Sequence, residues 1–380
     1  MKKKDKKSLT KLDKKKSEQE SDTNKSKSKK HNKLLIIIII VLIILLACVF
    51  GAKIFVDNKI NKINFKELNI TDSNDIGISN EEQKNNKVKN IALIGTDSQN
   101  NSYDDFARSD CILIISINYE TNKVNLISIY RDTLVQMDLY DKTRIDKINH
   151  SFYGGIETTI KTINTNFDLN ISEYVLVNFK VVEDLVDAVN GVDIDITSEE
   201  LKYINKYINN NMKVTGVSSN LVTKEGTQTL NGVQALAYSR IRYTEGGDFK
   251  RTERMRTVVQ KVFQKLKEKN VIEINEILNK ILPEIQTNIT KNEIMNLMTK
   301  FFNFEINETF GFPYNVISTK LDLKDYYEGT TKGVDYYDVP TSLPEDVIKL
   351  HKEILGEENY SLSENVSSIF EKIKEVANLN

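Results

Sequence analysis

The chain has 380 residues, 39% apolar and 28% charged, which suits a folded protein of one large or two small domains. Its net charge of −1 hides an uneven spread: residues 1–33 hold fourteen Lys against five Asp or Glu, about +9, which leaves about −10 for the rest. An acidic body argues against nucleic-acid binding, which needs a basic face, and two cysteines, Cys48 and Cys111, imply no disulfide framework.

Residues 1–33 have almost nothing to bury and read as a disordered basic tail. Residues 34–52, "LLIIIIIVLIILLACVFGA", carry no charge. As a helix they span roughly 28 Å, about one bilayer core. The lysines before them place the N-terminus in the cytoplasm and the body outside. A cleaved signal peptide is the rival, but the preceding region is long and no good cleavage site follows. "LLAC" faintly resembles a lipoprotein site; both rivals also put the body outside the membrane. Residues 53–87 are polar and read as a juxtamembrane linker.

From Val88 the pattern changes. "VKNIALIGTD", "CILIISINY" and "KVNLISIYRD" read as buried strands. A helix at "GGIETTIKTINTNF", a strand at "YVLVNF", a helix at "FKVVEDLVDAVNG" and a short strand "VDIDI" follow. Such alternation predicts an α/β domain with helices on both faces of a sheet. Helical patterns resume after residue 230. "SLPEDVIKLHKEI" reads as a closing helix, which sets the domain at 88–357 and leaves 358–380 as a tail.

Five of the eight arginines fall within "YSRIRYTEGGDFKRTERMR", residues 238–256, in a chain that otherwise prefers lysine. A guanidinium grips phosphate oxygens in pairs, whereas an ammonium is a point charge. The cluster therefore points to a phosphate site. In "SRIR", an extended backbone would aim Arg240 and Arg242 to one side. "DFKRTERMR" opens a helix for which Asp248 is a fair N-cap. Its apolar stripe would be Met255, Val258, Val259, Val262 and Leu266, with Arg251 at the inner edge and Arg254 further round. Arg254 and Arg256 are equally open to pairing with Glu245, Asp248 and Glu253. Asp97 and Asp110, flanking strands, could hold Mg²⁺ beside phosphate oxygens, although Asp is also a common turn residue. HExxH, GxxxxGK[ST] and GxSxG motifs are all missing. With only His31, His150 and His351, a histidine-based triad is improbable, and His150 reads as packed or hydrogen-bonded.

Six motifs in order resemble the LytR-CpsA-Psr family of cell-wall glycopolymer ligases. "IALIGTD" is similar to its opening strand and metal aspartate, Asp97. "ARSDCILI" gives Arg108 and Asp110, "ISIYRDT" gives Arg131 and Asp132, and "RIDKINHSFYGG" gives Lys147. "LNGVQALAYSRIR" gives Arg240 and Arg242; "GGDFKRTERMR" gives Asp248, Arg251 and Arg254. Two positions depart from the pattern: Tyr130 where the family usually has Pro, and Met255 where it usually has Gln. The resemblance implies a three-layer α-β-α domain with a central mixed sheet behind one transmembrane helix. It implies a phosphotransferase that moves an anionic glycopolymer, teichoic-acid-like or capsular, from a polyprenyl pyrophosphate carrier to peptidoglycan, releasing polyprenyl phosphate. Asp97 and Asp110 would hold Mg²⁺ or Mn²⁺. Arg108, Arg131, Arg240, Arg242 and Arg251 would clamp the pyrophosphate, with Lys147, Asp248 and Arg254 in support. Asp132 would orient Arg131 or act as a base, and the lipid tail would need an apolar tunnel. Alternatives are a polyprenyl-pyrophosphate hydrolase and a non-catalytic wall-binding or regulatory protein.

Overall fold

The computed structural model describes residues 63–70, 72–78, 87–96, 108–323 and 334–379. The basic tail, the apolar run 34–52, most of the linker and Asp97 lie outside the described residues. No helix among the described residues is long and apolar enough to cross a membrane.

The chain begins with Asn64–Phe65 (β1), Val88–Thr96 (β2), Ser109–Asn118 (β3), Lys123–Ile129 (β4), Leu134–Leu139 (β5) and Lys142–Lys147 (β6). Next come Gly155–Phe167 (α1), Glu173–Asn178 (β7), Phe179–Ala188 (α2), Val192–Ile196 (β8), Ser198–Thr215 (α3) and Gly226–Leu230 (β9). Gly232–Ser239 (α4), Gly247–Lys267 (α5), Val271–Ile281 (α6), Gln286–Thr287 (β10) and Lys291–Lys300 (α7) follow. Glu305–Phe312 (β11), Val316–Leu321 (β12), Asp335–Pro340 (β13), Leu343–Lys349 (α8) and Glu364–Ala377 (α9) complete the described elements.

Seven strands form the central sheet in the order β1-β10-β7-β2-β3-β4-β11. It is mixed. β2 runs parallel to β7 and β4 parallel to β11, while β2/β3 and β3/β4 are antiparallel. Side chains alternate across a strand, and here the alternation builds two cores. Ala92, Ile94, Ile112, Ile114, Ile127 and Ile129 pack on one face with Ile160 and Phe167 of α1. Ile91, Leu113 and Leu126 pack on the other, against Val259 and Phe263 of α5 and Leu297 of α7. The result is the expected three layers. A further cluster joins α2, α3, α4 and the β8–β9 ribbon through Val186, Ile194, Ile204 and Ala235, and it takes Val258 and Val262 from α5. Helix α5 is thus wedged between the sheet and this second body of helices.

Two expectations need correction. The segment expected as a C-terminal tail, 358–380, is part of the core over its described residues. Ser363 caps α9, and Val366, Ile369 and Ile373, spaced at helical intervals, are at most 2% exposed in the main core. The helices read after residue 230 also conceal β11, a sheet strand parallel to β4. Its register shifts between Ile306 and Thr309, and that irregularity, together with its half-exposed pattern, erases the period-two signal.

Candidate active site

Strand direction gathers the candidate residues at one edge of the sheet. β2, β4 and β7 end there, and antiparallel β3 begins there. The register sets Thr96 opposite Ser109 and Asn178, with Ile129 opposite Ile112. Asp110, Arg131 and Asp132 therefore emerge side by side, at the strand ends where α/β sheets build sites.

Helix α5 supplies Asp248 and Arg251, and the turn before it supplies Arg242. Its N-cap is Gly246, not Asp248. Gly246 has φ 84°, a left-handed conformation that side chains disfavour. A Cβ there would also lie 2.7 Å from Cγ of Lys250. Asp248 sits one residue into the first turn, where the helix dipole favours a carboxylate, and points at the arginines.

Three guanidinium groups share two carboxylates. Arg131 Nη1 donates to Asp110 Oδ1 at 2.7 Å. Arg251 Nη2 donates to the Asp110 carbonyl oxygen at 3.0 Å, and its Nε lies 3.2 Å from Asp248 Oδ1. Arg242 reaches Asp248 Oδ1 at 3.6 Å and Asp110 Oδ1 at 4.0 Å. Arg131 Nε is 3.7 Å from the same Asp248 oxygen. The contacts to Asp248 are loose, and Nε of Arg131, Nε of Arg251 and Oδ2 of Asp248 are buried without a hydrogen-bond partner. Burial alone would raise the Asp110 carboxyl, but Arg251, Arg131 and Arg242 outweigh it and hold the group below the usual carboxylate range. Burial, with repulsion from Arg251 and Arg131, pushes Arg242 down, only partly offset by Asp248 and Asp110. The site concentrates positive charge that its own carboxylates incompletely answer.

Behind the arginines lies a cavity of about 310 Å³. Asp110, Arg240, Arg242 and Arg251 line it together with the apolar Leu93, Val177, Val182, Leu236, Met255 and Val259. It is the seam between the sheet and the second helical body, bounded by α5. Cys111 also lines it as a free thiol, and burial pushes that thiol up to about 12, so it stays protonated and unreactive.

The remaining candidates separate. Arg240 is the C-cap of α4, helical rather than extended, and buried Ile241 turns the chain so that Arg242 still reaches the same cavity. Its guanidinium lies 4.5 Å over the Phe179 ring and donates to Asn211. Asp132 bridges Arg131 at 3.5 Å and Lys147 at 3.6 Å, and Lys147 also pairs with Asp335 at 2.9 Å. Arg108 is exposed at the start of β3 and does not line the cavity. Arg254 also stays outside it. Its Nε donates to Glu200 at 2.6 Å, Nη1 to the Ile241 carbonyl at 3.0 Å and Nη2 to Thr244 at 2.7 Å. It ties α5 to α3 rather than facing a ligand. His150 pairs with Asp146 at 2.7 Å, a hydrogen-bonded residue as expected.

Sequence reading missed Asp338. This β13 residue hydrogen-bonds through its backbone amide to the Asp132 carbonyl, and its Oδ2 is buried without a partner. Burial, then Asp132 and Asp248, push its carboxyl up to about 6 against the pull of Ser318. Strand β13 brings Asp338 to the site only through the fold, so no local motif marks it.

Among the described residues no group of three or more His, Cys, Asp or Glu is arranged to hold a metal ion. Asp110 is already paired with Arg131, and Asp248 with Arg251 and Arg242.

A family model described as the LytR_cpsA_psr family matches residues 53–345. The polyisoprenyl-teichoic acid–peptidoglycan teichoic acid transferase TagU of Bacillus mycoides is 27% identical over 289 residues, covering 74% of this chain and 84% of that protein. Two solved structures share the fold. One is TagT bound to LI-WTA, at TM-score 0.54 and 23% identity, covering 74% of this chain and 94% of that one. The other is a LytR-CPS2A-psr family protein, YwtF (TagT), with bound octaprenyl pyrophosphate lipid, at TM-score 0.50 and 22% identity, covering 74% and 94%.

Proposed function

Because the chain belongs to the LytR_cpsA_psr family, we propose that it is a phosphotransferase that attaches an anionic glycopolymer from a polyprenyl pyrophosphate carrier to peptidoglycan. One observation carries the reading: Arg131 and the pair Arg242 and Arg251, from two segments more than 100 residues apart in sequence, converge beside a cavity with largely apolar walls. A pyrophosphate with a hydrocarbon tail asks for both at once. The names of TagU and of lipid-bound TagT support the donor and acceptor classes.

Under this reading each residue has a role. Without substrate, Arg131 is bonded to Asp110, while Arg242 reaches Asp110 and Asp248 only over long contacts. A diphosphate offers more oxygens and more charge, so binding exchanges weak pairings for charge-assisted ones. Val259, Met255 and Leu236 receive the first isoprene units; apolar burial contributes about 25 cal/mol per Å² removed from water. An acceptor sugar hydroxyl attacks the sugar-linked phosphorus, forming a new P–O bond. The bond from that phosphorus to the bridging oxygen breaks, and polyprenyl phosphate leaves with its charge held by Arg242 and Arg251. The hydroxyl proton passes to a nearby carboxylate or to water. Asp132, held between Arg131 and Lys147, acts as a positioning residue. Arg108 approaches from the solvent side, and Arg240 braces the wall against Phe179.

Asp110, with Asp97 outside the described residues, would hold Mg²⁺ or Mn²⁺, which would supply further neutralisation of phosphate charge. Residues 34–52 would anchor the chain in the membrane with the catalytic domain outside. Phosphoryl transfer depends on such alignment and charge neutralisation rather than on a covalent intermediate.

The test is turnover of a labelled lipid-linked glycopolymer with and without peptidoglycan. Label should move to peptidoglycan, and R131A or R242A should abolish the movement while the fold persists. Label released only as free polymer phosphate would identify a hydrolase instead.

A further inference from the structure

Arg242 is followed by Tyr243, whose side chain is 60% exposed although it lines the same cavity as the clamp. It does not stand alone. Its ring lies 5.8 Å from that of Tyr203, at 42°, and 6.4 Å from that of Tyr207, at 36°. Tyr203 and Tyr207 are one helical turn apart on α3, and Lys206 between them places its Nζ 4.9 Å from the Tyr243 ring centre. Tyr207 lines the cavity as well. Tyr243 is exposed and Tyr203 and Tyr207 are half-buried, so the three present one grouped aromatic face beside the active site, and such a group suits a ligand better than scattered apolar exposure does.

We infer that Tyr243, Tyr203, Tyr207 and Lys206 form a saccharide subsite that holds the first pyranose of the donor, next to its pyrophosphate. The inference rests on the proposed function. The lipid takes the apolar walls of the cavity, Leu236, Met255 and Val259 among them. The arginines take the diphosphate. The next chemical group along the donor is a sugar, and it must leave past Arg242 onto the surface that Tyr243 occupies. A pyranose suits that surface: its C–H face lies on a phenol ring, and its hydroxyls reach water and the Lys206 ammonium. Tyrosine, apolar in body and polar at its tip, fits such a half-wet contact.

The experiment titrates the full-length, detergent-solubilised chain with two probes. One is a polyprenyl pyrophosphate; the other is the same lipid carrying a hexose on its pyrophosphate. Wild type should bind the sugar-bearing probe more tightly. Y243A should weaken that probe about three- to tenfold, the range of one aromatic contact, and leave the bare lipid unchanged. Y243F should keep both affinities, because the ring face rather than the hydroxyl does the holding. Equal weakening of both probes would overturn the subsite and assign Tyr243 to the lipid. No change in either would overturn it as well. Wild type that binds neither probe would bring down the underlying function reading together with the subsite, whereas binding that is lost in R251A and retained in Y243A would bring down the subsite alone.

Discussion

Arg251 and Arg254 lie three residues apart on one helix, both at most 5% exposed, yet they live in opposite surroundings. Arg254 is saturated, with three directed hydrogen bonds between 2.6 and 3.0 Å and a single carboxylate, Glu200, as its ion partner. Arg251 makes one directed bond, to a backbone carbonyl, and otherwise shares Asp248 with Arg131 and Arg242 at distances up to 3.7 Å. A buried charge that is fully paired holds a structure together; one left short of partners beside a cavity is held ready for a ligand. Burial alone does not separate the two, and neither does residue type.

Four measurements would break or sharpen that contrast. The largest effect belongs to the loose side: R251A should lower transfer by about 10²–10³-fold, as for loss of one preorganised donor at a developing charge, with little change in Tm. Next, R254A should cost about 3–5 kcal/mol of stability, because it strands the Glu200 carboxylate; denaturant unfolding would read this. If R251A unfolds the chain and R254A spares it, the contrast is wrong.

A smaller, pH-dependent effect concerns Asp338. Its folded carboxyl is raised to about 6 from an ordinary value near 3.8, so the folded state binds the proton more tightly than the unfolded chain. The stability it contributes is full below about pH 4 and is lost as pH rises through about 6. D338N should flatten that segment of a Tm-against-pH curve, and a curve unchanged by the substitution would contradict the assignment. The smallest effect tests an exception. Arg256 is buried with Nε and Nη1 unpartnered, yet it does not line the cavity, and burial lowers its guanidinium. R256M removes an unpaired buried charge at similar volume. It should leave transfer within about twofold and raise stability by about 1 kcal/mol or less. A large loss of transfer would extend the clamp to Arg256.

Much of the site is legible locally. Arg251 falls on the inner edge of the α5 stripe as its 3.6-residue period requires, and Asp110, Arg131 and Asp132 flank strands whose alternation is plain. Local reading errs where the backbone leaves a regular period. Gly246, in a left-handed conformation just before α5, takes the cap that Asp248 was expected to fill. The "SRIR" segment is a helix end and a turn, so Arg240 and Arg242 share a cavity through tertiary placement rather than strand geometry. Arg254 carries the same motif weight as Arg251, but its partners come from α3 and from the turn after α4, which no spacing within α5 reveals.

By itself the sequence determined the alternating strands, the two faces they present, the amphipathic stripe of α5 and the enrichment of arginine near it, because each is a matter of local period and residue chemistry. Only the tertiary structure decided which arginines face one another, that a cavity opens between the sheet and the second helical body, and that α9 closes the core. Those outcomes depend on contacts between segments far apart in the chain, such as Asn125 with Ile354, 229 residues on, and the free energy of such contacts is not written in the neighbourhood of either residue.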